Sequence, residues 1–245
     1  MTVSNIEGNI SLAQVDFKYE TREIFSKLDL CVEQGKTTAF VGESGSGKST
    51  VVKLLVGLLH PHSGHVYVDG IDLSQMNLDS YYDHIAYLPQ EPPVFDGTLR
   101  ENLVFDDVVD NDILAKAIGL AGLDGLFSTL EKGFDTQLGE KGVSLSGGER
   151  QQLALARLCF SKAKLIIFDE ATSAIDNLTE EAVMKNVMDV LSGKTVIAIA
   201  HRLDSIKNFD KIVVFQDGRI VEQGDFAELI KKQHYFHELY NRAMS

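Results

Sequence analysis

The chain has 245 residues, 44% hydrophobic and 24% charged, with a formal net charge of −13. The length suits one large hydrophobic core, the composition is that of a globular protein, and the acidic balance argues against broad nucleic-acid contact, which needs a basic surface. No run approaches the roughly 18 consecutive apolar residues of a membrane helix, and residues 1–8 lack the apolar stretch of a signal peptide, so neither membrane insertion nor secretion is expected from this stretch of chain.

Residues 10–19 alternate apolar and polar side chains (Ile10, Leu12, Val15, Phe17), as a half-buried antiparallel strand does. Residues 28–32 alternate similarly, with a polar turn expected over 20–23. Cys31 and Cys159 lie far apart and fit no metal spacing, so both are expected as free, buried thiols in a reducing compartment. Residues 37–41 read as a buried strand. Gly42-Glu43-Ser44-Gly45-Ser46-Gly47-Lys48-Ser49-Thr50 follows, and residues 49–59 read as a helix stopped by Pro61. That strand–loop–helix setting gives the nine residues a specific chemistry. Glycines allow positive φ and close wrapping, so backbone N–H groups converge on phosphate oxygens. The helix start adds roughly half a positive charge. Lys48 would reach the β- and γ-phosphates, and the Ser49 hydroxyl would ligate Mg²⁺.

Strands are expected over 65–70 and 85–88, the latter buried. Pro89-Gln90-Glu91-Pro92-Pro93 is an ordered break. From 94 to 160 the periodicity is helical, with helices over 112–120 and 149–160, and the strand pattern then resumes. Residues 165–168 and 195–200 are continuous apolar runs, as in strands covered on both faces; a helix spans 179–191. Asp217-Gly218 is a two-residue hairpin signal between 211–215 and 219–223, and one closing helix is expected over 226–244. The resulting fold class is α/β, a P-loop NTPase core with a mostly parallel sheet, an N-terminal antiparallel β subdomain and an inserted helical subdomain at about 94–160. Tyr81 and Tyr82 suit either the core or a partner surface.

Two further stretches carry chemistry. Asp169 and Glu170 end the apolar strand, where ligands of open α/β sheets bind; Asp169 could hold Mg²⁺ directly or through water, and Glu170 could polarise an attacking water. Leu145-Ser146-Gly147-Gly148-Glu149 contains a capping box, Ser146 with Glu149. Two successive glycines are not explained by capping, since they lower helix propensity; at a helix start they admit an anion close to the backbone.

Together these motifs resemble the nucleotide-binding domain of an ABC transporter over essentially the whole chain. Gly42 to Thr50 is similar to Walker A, and Leu145 to Glu149 to the Leu-Ser-Gly-Gly-Gln signature with Glu in fifth place. Residues 165–170 look like Walker B with its catalytic Glu170. Gln90 is similar to the Q-loop glutamine, Ser173-Ala174-Ile175-Asp176 to the D-loop with Ile for Leu, His201 to the switch histidine, and Tyr19 to the aromatic that stacks on adenine. The resemblance implies ATP and Mg²⁺ as ligands. It implies Tyr19, Gly42, Ser44, Gly45, Ser46, Gly47, Lys48, Ser49 and Thr50 around one nucleotide, with Ser49, Gln90 and Asp169 at the metal. Glu170, His201, Gln90 and Lys48 would serve catalysis. Two copies, or a related pair, would join head to tail, so that Ser146, Gly147 and Gly148 meet the partner's nucleotide, and Asp176 of the D-loop belongs to the nucleotide site. A transmembrane domain, fused or separate, would place this domain on the cytoplasmic side of a membrane. Residues 95–103 look like the Gly-Thr-x-x-Glu-Asn segment of exporter domains, and 136–142 like their x-loop, with Gln137 and Lys141 departing from its form. An importer subunit and a non-transport ABC-type ATPase are the alternatives; the latter predicts long coiled-coil or basic segments, and the sequence has neither. A regulatory module without turnover predicts loss of Glu170 or His201, and both are present.

Overall fold

The computed structural model describes residues 1–105, 109–140, 142–200 and 202–244. The strands are β1 (Ile10–Tyr19), β2 (Arg22–Val32), β3 (Thr37–Val41), β4 (Ser63–Val68), β5 (Ile71–Asp72), β6 (Ile85–Leu88), β7 (Gly97–Thr98), β8 (Gln137–Leu138), β9 (Leu165–Asp169), β10 (Thr195–Ile199), β11 (Lys211–Gln216) and β12 (Arg219–Gly224). The helices are α1 (Lys48–Leu55), α2 (Leu78–Tyr82), α3 (Leu99–Val104), α4 (Asn111–Leu120), α5 (Asp124–Thr129), α6 (Gly147–Arg157), α7 (Asn177–Val190), α8 (Phe226–Lys232) and α9 (Tyr235–Met244). They form two compact units. The first holds Met1–Tyr87, Ala163–Asp169 and Gly193–Ser245; the second holds Leu88–Lys162 and Glu170–Ser192.

In the first unit an antiparallel sheet runs β2-β1-β4-β5, and a second sheet runs β12-β11-β3-β10-β9-β6. Neighbours β11, β3, β10 and β9 pair in parallel, while β12 is antiparallel to β11. This is the mixed α/β, mostly parallel architecture that the alternating sequence pattern predicts. Val51, Val52, Leu54 and Leu55 of α1 are fully buried, each contributing about 1.5–3 kcal/mol by leaving water. The helix stops at Leu55 rather than running to 59. Gly57 takes φ 73°, and its N–H donates to Leu54 O while Leu58 N–H donates to Lys53 O. That pair of bonds is a Schellman stop, so a glycine ends the helix before Pro61 is reached.

Other local expectations shift for identifiable reasons. The β1–β2 turn is only Glu20 and Thr21, since Tyr19 pairs with Arg22. Leu28, Leu30 and Val32 take the buried side of β2, which turns Cys31 outward, exposed rather than buried; Cys159 is half-buried. Strand β6 lies at the sheet edge, so Ile85, Ala86 and Tyr87 are half-buried rather than buried. Tyr81 belongs to the core, fully buried with its hydroxyl donating to Leu55 O at 3.0 Å, whereas Tyr82 is exposed. The closing helix is two helices: Gln233 at φ 55° ends α8, and Phe226 packs edge-on against both Phe236 and Tyr240 of α9. Asp217 and Gly218, at φ 47° and 73°, form the expected tight turn between β11 and β12, the positive-φ pair of a type I′ hairpin.

The second unit is mainly helical. Its two-stranded ribbon pairs Gly97 of β7 with Leu138 of β8, bringing the Gly-Thr-x-x-Glu-Asn stretch beside residues 136–142. Thr98 and Glu101 cap α3 reciprocally. Fully buried Asn102 accepts from Phe95 N–H and donates to Phe95 O and Thr98 O. Arg157 of α6 donates to Asn102 O, Asn102 Oδ1 and Pro93 O, and lies over the rings of Phe95 and Phe105. Burial pushes its pKa down to about 10. Helix α7 belongs to this unit too, with Asn186 Nδ2 donating to Leu120 O. Of the two x-loop departures, Gln137 lies in β8 and Lys141 lies outside the described residues.

Candidate active site

In the first unit, the loop after β3 runs directly into α1. Gly47 stands at the helix N-cap with φ 108°, and a Cβ there would lie 2.5 Å from Phe25 Cε1. Positive φ and the ring together admit only glycine. With no side-chain cap on α1, its first-turn N–H groups face the loop as donors. Lys48 is 5% exposed, and its Nζ donates to Gly42 O at 2.8 Å, Glu43 O at 2.9 Å and Ser46 Oγ at 3.3 Å. A buried ammonium and the uncapped first-turn N–H groups of α1 therefore meet at one loop. Ser44 and Gly45 are exposed on it, and Ser49 and Thr50 are half-buried in the first turn of α1. The β11–β12 turn braces the loop, with Gly218 N–H donating to Ser46 O at 3.2 Å.

Asp169 closes β9 at the same carboxyl edge of the parallel sheet from which the loop leaves β3. It is 9% exposed and accepts a 2.9 Å bond from the Tyr87 hydroxyl. Burial, then the Asp169 charge, pushes the Tyr87 phenol well above its ordinary pKa, so it remains a donor. Tyr19 ends β1 with its ring edge-on to Phe17 at 4.9 Å, and Phe17 pairs across the strands with Phe25, the residue against Gly47. Tyr19 thus ends the same strand pair that sets Phe25 against the loop.

In the second unit, Gln90 Nε2 donates to Glu170 Oε2 at 2.9 Å, and Glu170 itself holds φ 56°. Ser146 is the N-cap of α6: its hydroxyl accepts from Glu149 N–H, and its own N–H donates to the Glu149 carboxylate. Gly147 and Gly148 form the first turn. Asp176 is the N-cap of α7, and its hydrogen bonds with Thr179 hold its carboxyl below the usual range. His201 lies outside the described residues. Two residues that the motifs passed over support these groups, each within its own unit. One is Tyr87, on Asp169. The other is Gln151, 2% exposed, which bonds to Gln90 O, Ser173 Oγ and Ala174 N–H. Its signal was present in the sequence: a glutamine among the apolar residues Leu153, Leu155 and Leu158 of an amphipathic helix is a polar group that needs partners.

A family model described as ABC transporter matches residues 25–173. The chain belongs to the ABC transporter family. It is 40% identical over 241 residues to human ATP-binding cassette sub-family B member 5, covering 96% of this chain and 19% of that protein. It is 39% identical over 245 residues to the ABC multidrug transporter atrD of Emericella nidulans, covering 98% of this chain and 18% of that one. A solved bacterial Atm1-family ABC exporter with ATP bound superposes with a TM-score of 0.92 at 32% identity, over 100% of this chain and 43% of its own. The chain therefore spans about a fifth of the length of the curated relatives it matches. It is a nucleotide-binding domain of the exporter type, as the Gly-Thr-x-x-Glu-Asn and x-loop stretches suggest. Among the described residues no helix is long and apolar enough to cross a membrane.

Proposed function

We propose that this ABC domain binds Mg-ATP and hydrolyses it as one half of a head-to-tail pair, driving export through a transmembrane domain on whose cytoplasmic side it sits. The observation that carries this reading is the nucleotide loop: a buried Lys48 ammonium enclosed by Gly42, Glu43 and Ser46, at a helix start with no side-chain cap. ATP fits it in charge and shape, because phosphate oxygens complement convergent N–H donors and a lysine. The metal fits as well. Within the first unit, the Ser49 hydroxyl and the Asp169 carboxylate are hard oxygen donors of the kind that suits Mg²⁺, and the family resemblance adds the amide oxygen of Gln90. Bound there, Mg²⁺ would neutralise charge on the β- and γ-phosphates.

The chain's own groups then divide the work. Lys48 and the backbone of Gly42, Ser44, Gly45, Ser46, Gly47 and Thr50 bind and orient the phosphates. Glu170 orients water and takes its proton, and His201 contacts the γ-phosphate. Ser146, Gly147 and Gly148 close on the nucleotide of the other copy, with Asp176 alongside. Lys48→Ala tests the binding half of this proposal. Removing a charge-assisted contact worth about 1.5–3 kcal/mol weakens affinity roughly tenfold to a hundredfold, measured by equilibrium binding of ATP with Mg²⁺. Unchanged affinity and turnover would remove the nucleotide loop from the mechanism.

Tyr19 is assigned to the adenine. The residue is 41% exposed, with its ring beside Phe17, and a stacked aromatic adds roughly 0.5–1.5 kcal/mol beyond its buried area. Tyr19→Ala is expected to weaken ATP binding several-fold while Tyr19→Phe leaves it unchanged, in the same assay. Equal losses in both variants would show that the ring is not what binds.

A further inference from the structure

Gln151 touches both segments on which the proposed base depends. It sits on α6 three residues after Gly148, nearly fully buried. Its amide has two N–H donors and one oxygen acceptor, and all three are engaged. Nε2 donates to Gln90 O at 2.9 Å and to Ser173 Oγ at 3.2 Å, with Glu170 O 3.5 Å away, and Oε1 accepts from Ala174 N–H at 2.8 Å. Those partners flank one contact, the 2.9 Å bond from Gln90 Nε2 to the Glu170 carboxylate. One amide therefore fixes the backbone of Gln90, at one end of that bond, and the turn that begins at Glu170, at the other. That turn is held by Ser173 N–H on Glu170 O. Glu170 also sits at φ 56°, a left-handed conformation that a non-glycine residue keeps only where its surroundings over-determine it.

We propose that Gln151 is a positioning residue for ATP hydrolysis: it locks the Gln90 and Glu170 backbones so that the Gln90 amide aims the Glu170 carboxylate at the attacking water. This rests on the assignment of Glu170 as the base. Because Gln151 has no bond to the nucleotide loop among its partners and holds Gln90 only through its backbone carbonyl, its loss acts mainly on turnover, with ATP affinity little changed. Because it works through the Gln90–Glu170 bond, its effect disappears once that bond is gone.

The test is steady-state ATP hydrolysis by the purified protein carrying Gln151→Met, which keeps volume and removes all three bonds. A misplacement of about 1 Å can cost roughly a hundredfold, so a smaller shift of the Glu170 carboxylate is expected to lower kcat by about tenfold, with KM for ATP held within about twofold. In a Gln90→Ala background the same change is expected to cost less than about threefold, the non-additivity of residues acting as one unit. Gln151→Glu is the second variant: it keeps the acceptor for Ala174 N–H, loses the donors to Gln90 and Ser173, and is expected to reproduce the loss. Wild-type kcat in both variants, a loss expressed mainly in KM, or losses that multiply with Gln90→Ala would each overturn the proposal. Failure of both variants to fold would also overturn it, making Gln151 a residue of the fold. Glu170→Gln run alongside separates the two ideas. If that variant turns over normally, the base assignment fails; if it is inactive while the Gln151 variants are unaffected, only the positioning role fails.

Discussion

Glu170→Gln is expected to bind ATP as tightly as the wild-type protein, to lose turnover by roughly 10²–10⁴-fold, the typical contribution of a positioned general base, and to accumulate as an ATP-held pair. Glu170 follows the carboxylate at the end of β9 and receives the Gln90 amide on one oxygen. A glutamine has nearly the same shape and can present its own amide oxygen to Gln90, so the local bond and the backbone at φ 56° survive. What is lost is the charge that accepts a proton from water. Binding groups on the nucleotide loop are untouched, so a pair that closes on ATP has no hydrolytic route to reopening. Nucleotide titration, single-turnover hydrolysis and size-exclusion chromatography with ATP measure the three outcomes. Near-normal turnover would place the base elsewhere.

A tandem protein made of two linked copies is expected to hydrolyse ATP when Lys48→Ala is in one half and Ser146→Arg in the other, and to be inactive when both changes are in the same half. Two helix starts are assigned here to phosphate, at Gly47 and at Gly148, and one nucleotide needs only one lysine-bearing cradle. Head-to-tail pairing about a two-fold axis gives each ATP one start from each copy. Separated changes then meet in one site and leave the other whole. Changes in the same half damage both sites. The arrangement also controls for folding. Ser146 caps α6 through the Glu149 N–H, and losing such a cap costs about 0.5–2 kcal/mol, but both tandems carry that loss once. If the two tandems hydrolyse ATP equally, shared sites are ruled out; if the separated tandem is inactive while a linked wild-type pair is active, a single intact site does not suffice.

Much of this was legible in the sequence because it is local. The nucleotide loop, the Ser146–Glu149 capping box and the Asp217-Gly218 turn each depend on residues within a few positions of one another, and each forms as the spacing predicts. The parallel pairing of the core strands follows from alternation of buried runs with helices, whereas their order, β11-β3-β10-β9, does not. The departures come from choices between nearby signals or from distant partners. Pro61 was the stronger helix breaker in the sequence, yet Gly57 acts first, because its conformation closes two bonds on the last turn. The break at Gln233 carries no glycine or proline; it follows from Phe226 gathering two rings of α9. Gln151 bonds to residues 61 and 22–23 positions away, separations at which periodicity is silent. Tyr87 reaches Asp169 across 82 positions.

The bond from Gly218 N–H to Ser46 O changes the meaning of the β11–β12 turn. A two-residue hairpin tip is ordinarily where a chain accepts added residues or a circularly permuted end. Here a side chain at Gly218 would collide with Ile24 O, and a longer turn would carry the donor away from the nucleotide loop. The length of this hairpin is thus part of the loop's specification, although the two lie 172 residues apart in the chain. For anyone engineering this domain, a reporter or linker placed at that tip would act as a lesion in the nucleotide cradle.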